Sequence, residues 1–305
     1  MHVLVAGATG AVGRPLVAAL QAHGHTVSGL VRHPRGADRL RGLGAQPLVA
    51  DVLDRQATAE AVMEGRPDVV VDELSALPRS YSPAQMRATL TANGAVRTVG
   101  GDNLYAAAVA AGSRRYISQS GCYFYRPGAG LADEAEPWVE QGPPLVAATL
   151  DVQTAVEERT LAPDQPLAGV ALRYGFFYGP GTWFHPDGDV ADQVRDGRYP
   201  LLGSGAGRWS WVHVDDAAAA TVAAVEADVT GAFNICDDSP TPIGQWLPAF
   251  ARYVGAPPPP RVATGPDTDP DGRFYAEMLR GAANDRARKE LGFSPRPLTW
   301  TAASD

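Results

Sequence analysis

Hydrophobic positions alternate between short runs and helical spacings over roughly the first 175 residues. Short apolar runs predict strands at 2–6, 26–31, 46–50, 68–71, 115–119 and 167–173. Apolar residues at helical spacing predict helices at 11–23, 84–111 and 143–161. Strands that alternate with helices favour a parallel sheet covered on both faces. We therefore expect an α/β fold with a doubly wound parallel sheet.

The pattern changes after residue 175, where Gly, Pro and Trp become frequent and the regular alternation stops. The proline run at 257–260 predicts an extended connector. We expect one main domain over 1–174 and a smaller lobe over 175–305. The segment 208–227 is expected to return to the main sheet.

Composition narrows the possible partners. Hydrophobic residues make up 45% of the 305-residue chain, which excludes global disorder. A formal charge of -8 disfavours nucleic acid, which is bound mainly through Lys and Arg. The two cysteines, Cys122 and Cys236, lack metal-ligand spacing and are too few for a disulfide scaffold. With no leader pattern or long apolar run, we expect a cytoplasmic protein with no metal and no membrane contact.

A glycine-rich loop joins the first predicted strand to the first predicted helix. Glycines allow a sharp turn and a close backbone approach, and the free N–H groups of a helix N-terminus attract anions. The loop is therefore predicted to hold the pyrophosphate of a dinucleotide. Its residues are Gly7, Thr9, Gly10, Ala11, Val12 and Gly13.

The ends of the second and third strands bear on the choice of coenzyme. Arg32 stands where an NAD site usually has Asp or Glu for the ribose hydroxyls, and Arg35 is nearby. A guanidinium pairs well with a 2′-phosphate, so NADP(H) is favoured over NAD(H). Asp51, followed by Val52, could accept from the adenine amine, or Asp51 could cap the next helix.

Further motifs resemble the extended short-chain dehydrogenase/reductase superfamily, in its NAD-dependent epimerase/dehydratase branch. The resemblance rests on the loop, on Ser118-Gln119-Ser120, and on the strings LRYGFFYGPG at 172–181 and WVHVDDA at 211–217. It implies a Rossmann-type fold, a dinucleotide on the first domain, a small-molecule substrate between the lobes and a possible homodimer through the long helices. It adds four cofactor-binding candidates, Leu74, Ser75, Tyr174 and Phe176.

Members of this family usually carry a catalytic serine and a Tyr-x-x-x-Lys pair on one helix face. The resemblance places Ser120 at the serine, Thr149 at the tyrosine and Gln153 at the lysine. The chain contains only one lysine, Lys289, so no register restores the pair. A threonine hydroxyl does not readily ionise, and Gln153 can hold a ribose hydroxyl but adds no charge.

The lack of a Tyr-x-x-x-Lys pair leaves three hypotheses for the function. The protein is an atypical reductase, or it is a non-redox isomerase, cyclase or dehydratase-like enzyme that uses the cofactor as a scaffold. The third hypothesis is a catalytically silent NADP sensor. A phenol, imidazole or carboxyl near the substrate could replace the missing acid. Tyr178 and His185 are favoured for that role over the remaining candidates, Tyr123, Tyr125 and Asp151.

The substrate lobe is rich in aromatic residues. Sugar-nucleotide members of the family usually carry an arginine at the position of Trp209, and Arg208 would face the other way on a strand. We therefore expect a small, apolar or aromatic metabolite rather than a nucleotide sugar. In the string at 211–217, Asp215 or Asp216 is predicted to cap the helix that begins at Ala217.

Overall fold

A seven-stranded parallel sheet forms the centre of the molecule, of which the computed structural model describes residues 1–300. The strands are β1 (His2–Ala6), β2 (Thr26–Val31), β3 (Gln46–Val49), β4 (Val69–Asp72), β5 (Arg115–Gly121), β6 (Ala168–Tyr174), β7 (Phe176–Tyr178), β8 (Leu201–Leu202), β9 (Arg208–Trp209), β10 (Trp211–His213), β11 (Gly231–Ile235), β12 (Thr241–Pro242) and β13 (Arg261–Val262). The sheet order is β11-β6-β5-β4-β1-β2-β3. This order confirms the Rossmann-type, doubly wound fold and the six predicted strands.

Helices cover both faces of the sheet, and further helices build the second lobe. They are α1 (Gly13–Ala22), α2 (Pro34–Gly42), α3 (Arg55–Gly65), α4 (Pro83–Ala95), α5 (Gly101–Ala110), α6 (Pro144–Leu161), α7 (Asp189–Arg195), α8 (Val214–Glu226), α9 (Ile243–Tyr253), α10 (Pro270–Glu277) and α11 (Asp285–Leu291). The helix predicted at 84–111 is interrupted by a π-helical segment, Val96–Gly100, between α4 and α5.

Hydrophobic residues form separate clusters in the two parts of the molecule. One face of the sheet packs on α1 and α8, and the other on α3 and α5. The second lobe has an aromatic core that includes Trp209, Trp211 and Trp246. The carboxyl ends of the parallel strands lie between these cores, which is where ligands bind in sheets of this kind.

The expected return of 208–227 to the sheet is only partly correct. Helix α8 does pack on the sheet, against α1 and β5. The strand β10 instead pairs with the short strand β7, and the place beside β6 belongs to β11. The strand β7 follows Gly175 outside the main sheet, and β10 pairs with β7 there.

The predicted aspartate cap of α8 is also wrong. The ring Nδ1 of His213 accepts from the backbone N–H of Asp215 at 3.1 Å, so the helix begins at Val214. The carboxylate of Asp216 accepts from Arg296 Nε at 2.9 Å instead.

Within residues 1–300, both cysteines are buried and reduced, and no cluster of three potential metal ligands occurs. In the same part of the chain, no helix combines the length and the apolar character needed to cross a bilayer.

Candidate dinucleotide and substrate site

The glycine loop brings backbone atoms unusually close together. Gly7 has a φ of +88°, and a Cβ there would lie 2.4 Å from the carbonyl oxygen of Glu73. A Cβ on Gly13 would lie 2.2 Å from the Gly7 carbonyl oxygen. The loop therefore has no room for side chains at these positions, and its backbone is free to approach a ligand.

The ends of β2 and β3 carry exposed basic groups and a locally satisfied carboxylate. Arg32 is exposed, and its Nε donates to the neighbouring His33 ring at 3.1 Å. Asp51 accepts from the backbone N–H of Leu53 at 3.0 Å. It does not cap α3, because Asp54 does so. Arg32 thus keeps donors for a ligand, and the second oxygen of Asp51 stays available for an adenine amine.

Glu73 lies at the end of β4, directly beneath the glycine loop. Its carboxyl accepts from the Tyr174 hydroxyl at 2.9 Å, and that hydroxyl lies 2.6 Å from Thr221 Oγ1. Burial raises the pKa of Glu73 to about 8. The group is therefore mostly protonated at neutral pH and places no full negative charge below a bound pyrophosphate. Of the two predicted cofactor-binding residues that follow, Leu74 is half-buried, with its backbone N–H donating to Asp72 at 3.1 Å, and Ser75 is exposed.

Ser120 lies within a buried polar network. Its hydroxyl donates to Glu157 at 2.6 Å, and Glu157 forms a double ion pair with Arg173 at 2.8 and 2.6 Å. Arg173 also donates to the hydroxyl of Tyr125, at 2.9 Å. Both Ser120 and Tyr125 are therefore occupied inside the protein, and we assign neither to contact with a substrate.

The two helix positions that replace the Tyr-x-x-x-Lys pair both lie on α6. The Thr149 hydroxyl donates to the Leu145 carbonyl of its own helix at 2.7 Å. Gln153 is buried, and its Nε2 donates to the Gly121 carbonyl at 3.0 Å. Within residues 1–300, Gln153 Oε1 is buried without a partner. This orphaned acceptor fits a ribose hydroxyl, while neither side chain can supply a proton as a phenol would.

Tyr178 and His185, the favoured replacement acids, are held by local contacts. Tyr178 is 3% exposed, packs edge-on against Trp211 and Trp300, and has a pKa that burial raises to about 12. The ring of His185 accepts from the backbone N–H of Asp187 at 3.2 Å.

Four tyrosines from separate segments form a group that we call the tyrosine cluster: Tyr81, Tyr123, Tyr199 and Tyr275. Phe176 lies among them, with its ring centroid 4.7 Å from Tyr123 and 6.2 Å from Tyr275. Each of the four rings is only partly buried. In the chain up to residue 300, none of the four hydroxyls has a hydrogen-bond partner. Burial raises their pKa values, so they remain protonated hydrogen-bond donors.

Arg97, on the π-helical segment, adds a positive charge beside the tyrosine cluster. Its Nη2 donates to the Gln119 carbonyl at 2.7 Å. It interacts electrostatically with the Tyr123 phenol. No carboxylate oxygen of residues 1–300 lies within 4 Å of its guanidinium. The sequence alone does not indicate Arg97 or three of the four tyrosines, because only the fold brings these segments together.

These features define a protein of the doubly wound, nucleotide-binding class, with a glycine loop, a buried amide oxygen that lacks a partner on α6 and a cluster of aromatic side chains. Residues 3–236 match the model of the NAD dependent epimerase/dehydratase family. The chain belongs to that family, as its motifs indicated.

Similar proteins fall into two groups. The chain is 45% identical to a 3-diazoavenalumate denitrifying reductase of a Streptomyces species, over 98% of both chains. It is 29% identical to a 2-alkyl-3-oxoalkanoate reductase of Stenotrophomonas maltophilia, over 84% of this chain and 77% of that one. A UDP-glucose 4-epimerase of Thermotoga maritima superposes with a TM-score of 0.76 at 19% identity, covering 98% and 95%. This last likeness concerns the fold alone.

Proposed function

We propose that the protein is an NADP(H)-dependent reductase that replaces the diazo group of an aromatic acid with hydrogen and releases dinitrogen. The 45% identity to a denitrifying reductase over 98% of both chains supports this reaction type. The tyrosine cluster and Phe176 offer flat aromatic faces with hydroxyl donors, which suit an aromatic ring.

The observation that carries the proposal is the pair Thr149 and Gln153 in place of a phenol and a lysine. Reduction of a ketone leaves an alkoxide, which needs a proton from a positioned acid. An aryl diazonium ion needs none: NADPH supplies a hydride that forms the new C–H bond, and dinitrogen leaves with the electrons of the C–N bond. Atoms and charge balance with arene, dinitrogen and NADP+ as products. The site therefore only has to hold and orient the substrate.

Coenzyme contacts are proposed from the geometry of the first domain. The loop from Gly7 to Gly13 would hold the pyrophosphate, and Gln153 Oε1 a ribose hydroxyl. Arg32 would pair with the 2′-phosphate. The small-molecule substrate, a cytoplasmic location and a homodimer through α4 and α6 remain part of the proposal. The dimer is supported by α4, which lies along α6 and buries none of its own residues.

Replacing Arg32 with Ala is expected to weaken NADPH binding by about 10- to 100-fold, since hydrogen bonds to charged groups contribute about 1.5–3 kcal/mol. NADH binding should change by less than about twofold. Titration of nucleotide fluorescence measures both affinities, and Arg39→Ala, an exposed position on α2, is the matched control. An equal loss for NADPH and NADH would show that Arg32 does not select the phosphate.

The reaction is tested with diazotised 3-amino-4-hydroxycinnamate and NADPH carrying deuterium at its transferable position. We expect one NADPH oxidised per dinitrogen released, with deuterium on the ring carbon that bore nitrogen. Product formation without NADPH consumption would favour a non-redox enzyme. Saturable NADPH binding with no product from diazo or carbonyl substrates would favour a sensor. Turnover of ketones alone would reject the diazo assignment.

A further inference from the structure

Arg97 is a partly buried cation that forms no ion pair with a carboxylate of residues 1–300, although Asp72 and Glu73 act on its charge from a longer distance. Its Nη2 donates a hydrogen bond to the Gln119 carbonyl. Its Nε and Nη1 make no hydrogen bond to any of residues 1–300. Burial lowers its pKa, which shows that the charged form is disfavoured where it stands. An interior charge is costly unless it is paired, so this arrangement suits a guanidinium that receives an anion from outside the chain.

Tyr123 is fixed beside this cation by the absence of a side chain at Gly121. A Cβ on Gly121 would lie 2.3 Å from the ring carbon that bears the hydroxyl and 2.5 Å from the hydroxyl oxygen. The phenol therefore fills the space directly above the end of β5. Because burial raises its pKa to about 12, the hydroxyl stays protonated and can donate a hydrogen bond at neutral pH.

Arg97 and Tyr123 are connected through strand β5 to Gln153, the proposed ribose-binding residue. The Gly121 carbonyl accepts from Gln153, whose free oxygen is the proposed ribose acceptor. Gln119, which holds Arg97, is two residues earlier on the same strand. If Gln153 holds the ribose, Arg97 and Tyr123 would lie near that end of a bound coenzyme, whereas the glycine loop that would take the pyrophosphate follows β1, two strands away.

We propose that Arg97 and Tyr123 form an oxyanion-binding pair that recognises an ionised oxygen substituent on an aromatic substrate. A planar guanidinium and a phenol hydroxyl that lie close enough to interact electrostatically can both donate hydrogen bonds to one such oxygen. The consequence for catalysis rests on the proposed function. A phenolate oxygen donates electron density to the ring carbon that bears the diazo group. A cation and a hydrogen-bond donor at that oxygen reduce this donation. The ring then stays electrophilic toward hydride.

Calorimetry on the NADP+-saturated protein tests the pair without any turnover. The probes are 4-hydroxycinnamate, which carries a carboxylate, 4-nitrophenolate, which carries an ionised phenol, and the neutral methyl ester of 4-hydroxycinnamate. We expect at least one anion to bind about tenfold or more tightly than the ester. The anion that does so identifies which oxygen the pair holds.

Three variants and a control complete the test. Arg97→Gln should weaken the preferred anion by about 10- to 100-fold and the ester by less than twofold. Arg97→Lys should restore part of the loss, and Tyr123→Phe should weaken the anion by about three- to tenfold. Arg55→Gln, an exposed position on α3, should change nothing. NADP+ affinity should stay within about twofold in every variant.

Equal weakening of anion and ester in Arg97→Gln would overturn the proposal, because it would indicate a merely structural role. Undiminished anion binding in that variant, or a marked loss of NADP+ affinity, would also overturn it. These outcomes are separate from diazo turnover. Anion binding that depends on Arg97 can stand if the diazo reaction fails, and the diazo reaction can stand if the pair fails.

Discussion

Replacing Glu157 with Ala lowers the free energy of unfolding by about 3–5 kcal/mol, because the change leaves a buried arginine uncompensated. Glu157 receives two hydrogen bonds from Arg173 and one from Ser120. The side chains of Glu157 and Arg173 are only 11% and 9% exposed, so water cannot replace the lost partner. Urea unfolding in the absence of nucleotide measures the change.

The neighbouring exposed residue gives the control for this experiment. Glu158→Ala removes the same charge from the same helix and should cost less than about 1 kcal/mol. If Glu157→Ala does not fold, the double variant Glu157→Leu with Arg173→Met should recover much of the stability, since both buried charges are then gone. Similar losses for Glu157→Ala and Glu158→Ala would contradict the assigned role of the ion pair.

Gly13→Ala is expected to weaken NADPH binding by at least about tenfold and to cost about 1–3 kcal/mol of stability. The new methyl would lie 2.2 Å from the Gly7 carbonyl oxygen and 2.7 Å from the Ala8 Cα. Both of these atoms belong to the backbone, so α1 must move away from the loop to remove the steric clash. That movement displaces the N–H groups proposed to hold the pyrophosphate.

Gly42→Ala is the matched change, because Gly42 is also helical and a Cβ there meets nothing within 4 Å. Its expected effect is a gain of up to about 1 kcal/mol from helix propensity and unchanged NADPH affinity. Nucleotide titration and urea unfolding on both variants separate the clash from the general effect of removing a glycine. Unchanged NADPH affinity in Gly13→Ala would remove the loop from the proposed site.

Periodicity predicted the first six strands of the sheet because each is a short apolar run between turn residues or helices. The seventh, β11, was missed for a physical reason. Its five residues include Gly231 and Asn234, which are poor strand formers. Its pairing partner β6 lies about 60 residues earlier in the chain. Only the assembled sheet gives this segment its place, where Asn234 is buried and accepts from Tyr125 at 2.7 Å.

The candidate site likewise has parts that the sequence predicts and parts that only the folded structure reveals. The glycine loop could be predicted because its chemistry lies within one local stretch of sequence. On β5, by contrast, the sequence did not reveal that the Ser120 hydroxyl turns toward Glu157 while the Tyr123 ring covers Gly121. Arg97 was missed because regular helical spacing was expected through 84–111, and the widened turn there follows from packing.

That widened turn makes the placement of Arg97 depend on residue count as well as residue identity. A π-helical turn holds one more residue than an α-helical turn, and each residue of an α-helix rotates the chain by about 100°. Removing one residue from Val96–Gly100 would let the helix continue regularly, with α4 rotated against α5. Both Arg97 and Asn93, which accepts from the Ala76 N–H at 2.8 Å, would then leave their partners together. A relative that keeps the arginine but lacks this extra residue should therefore present no cation to its ligand.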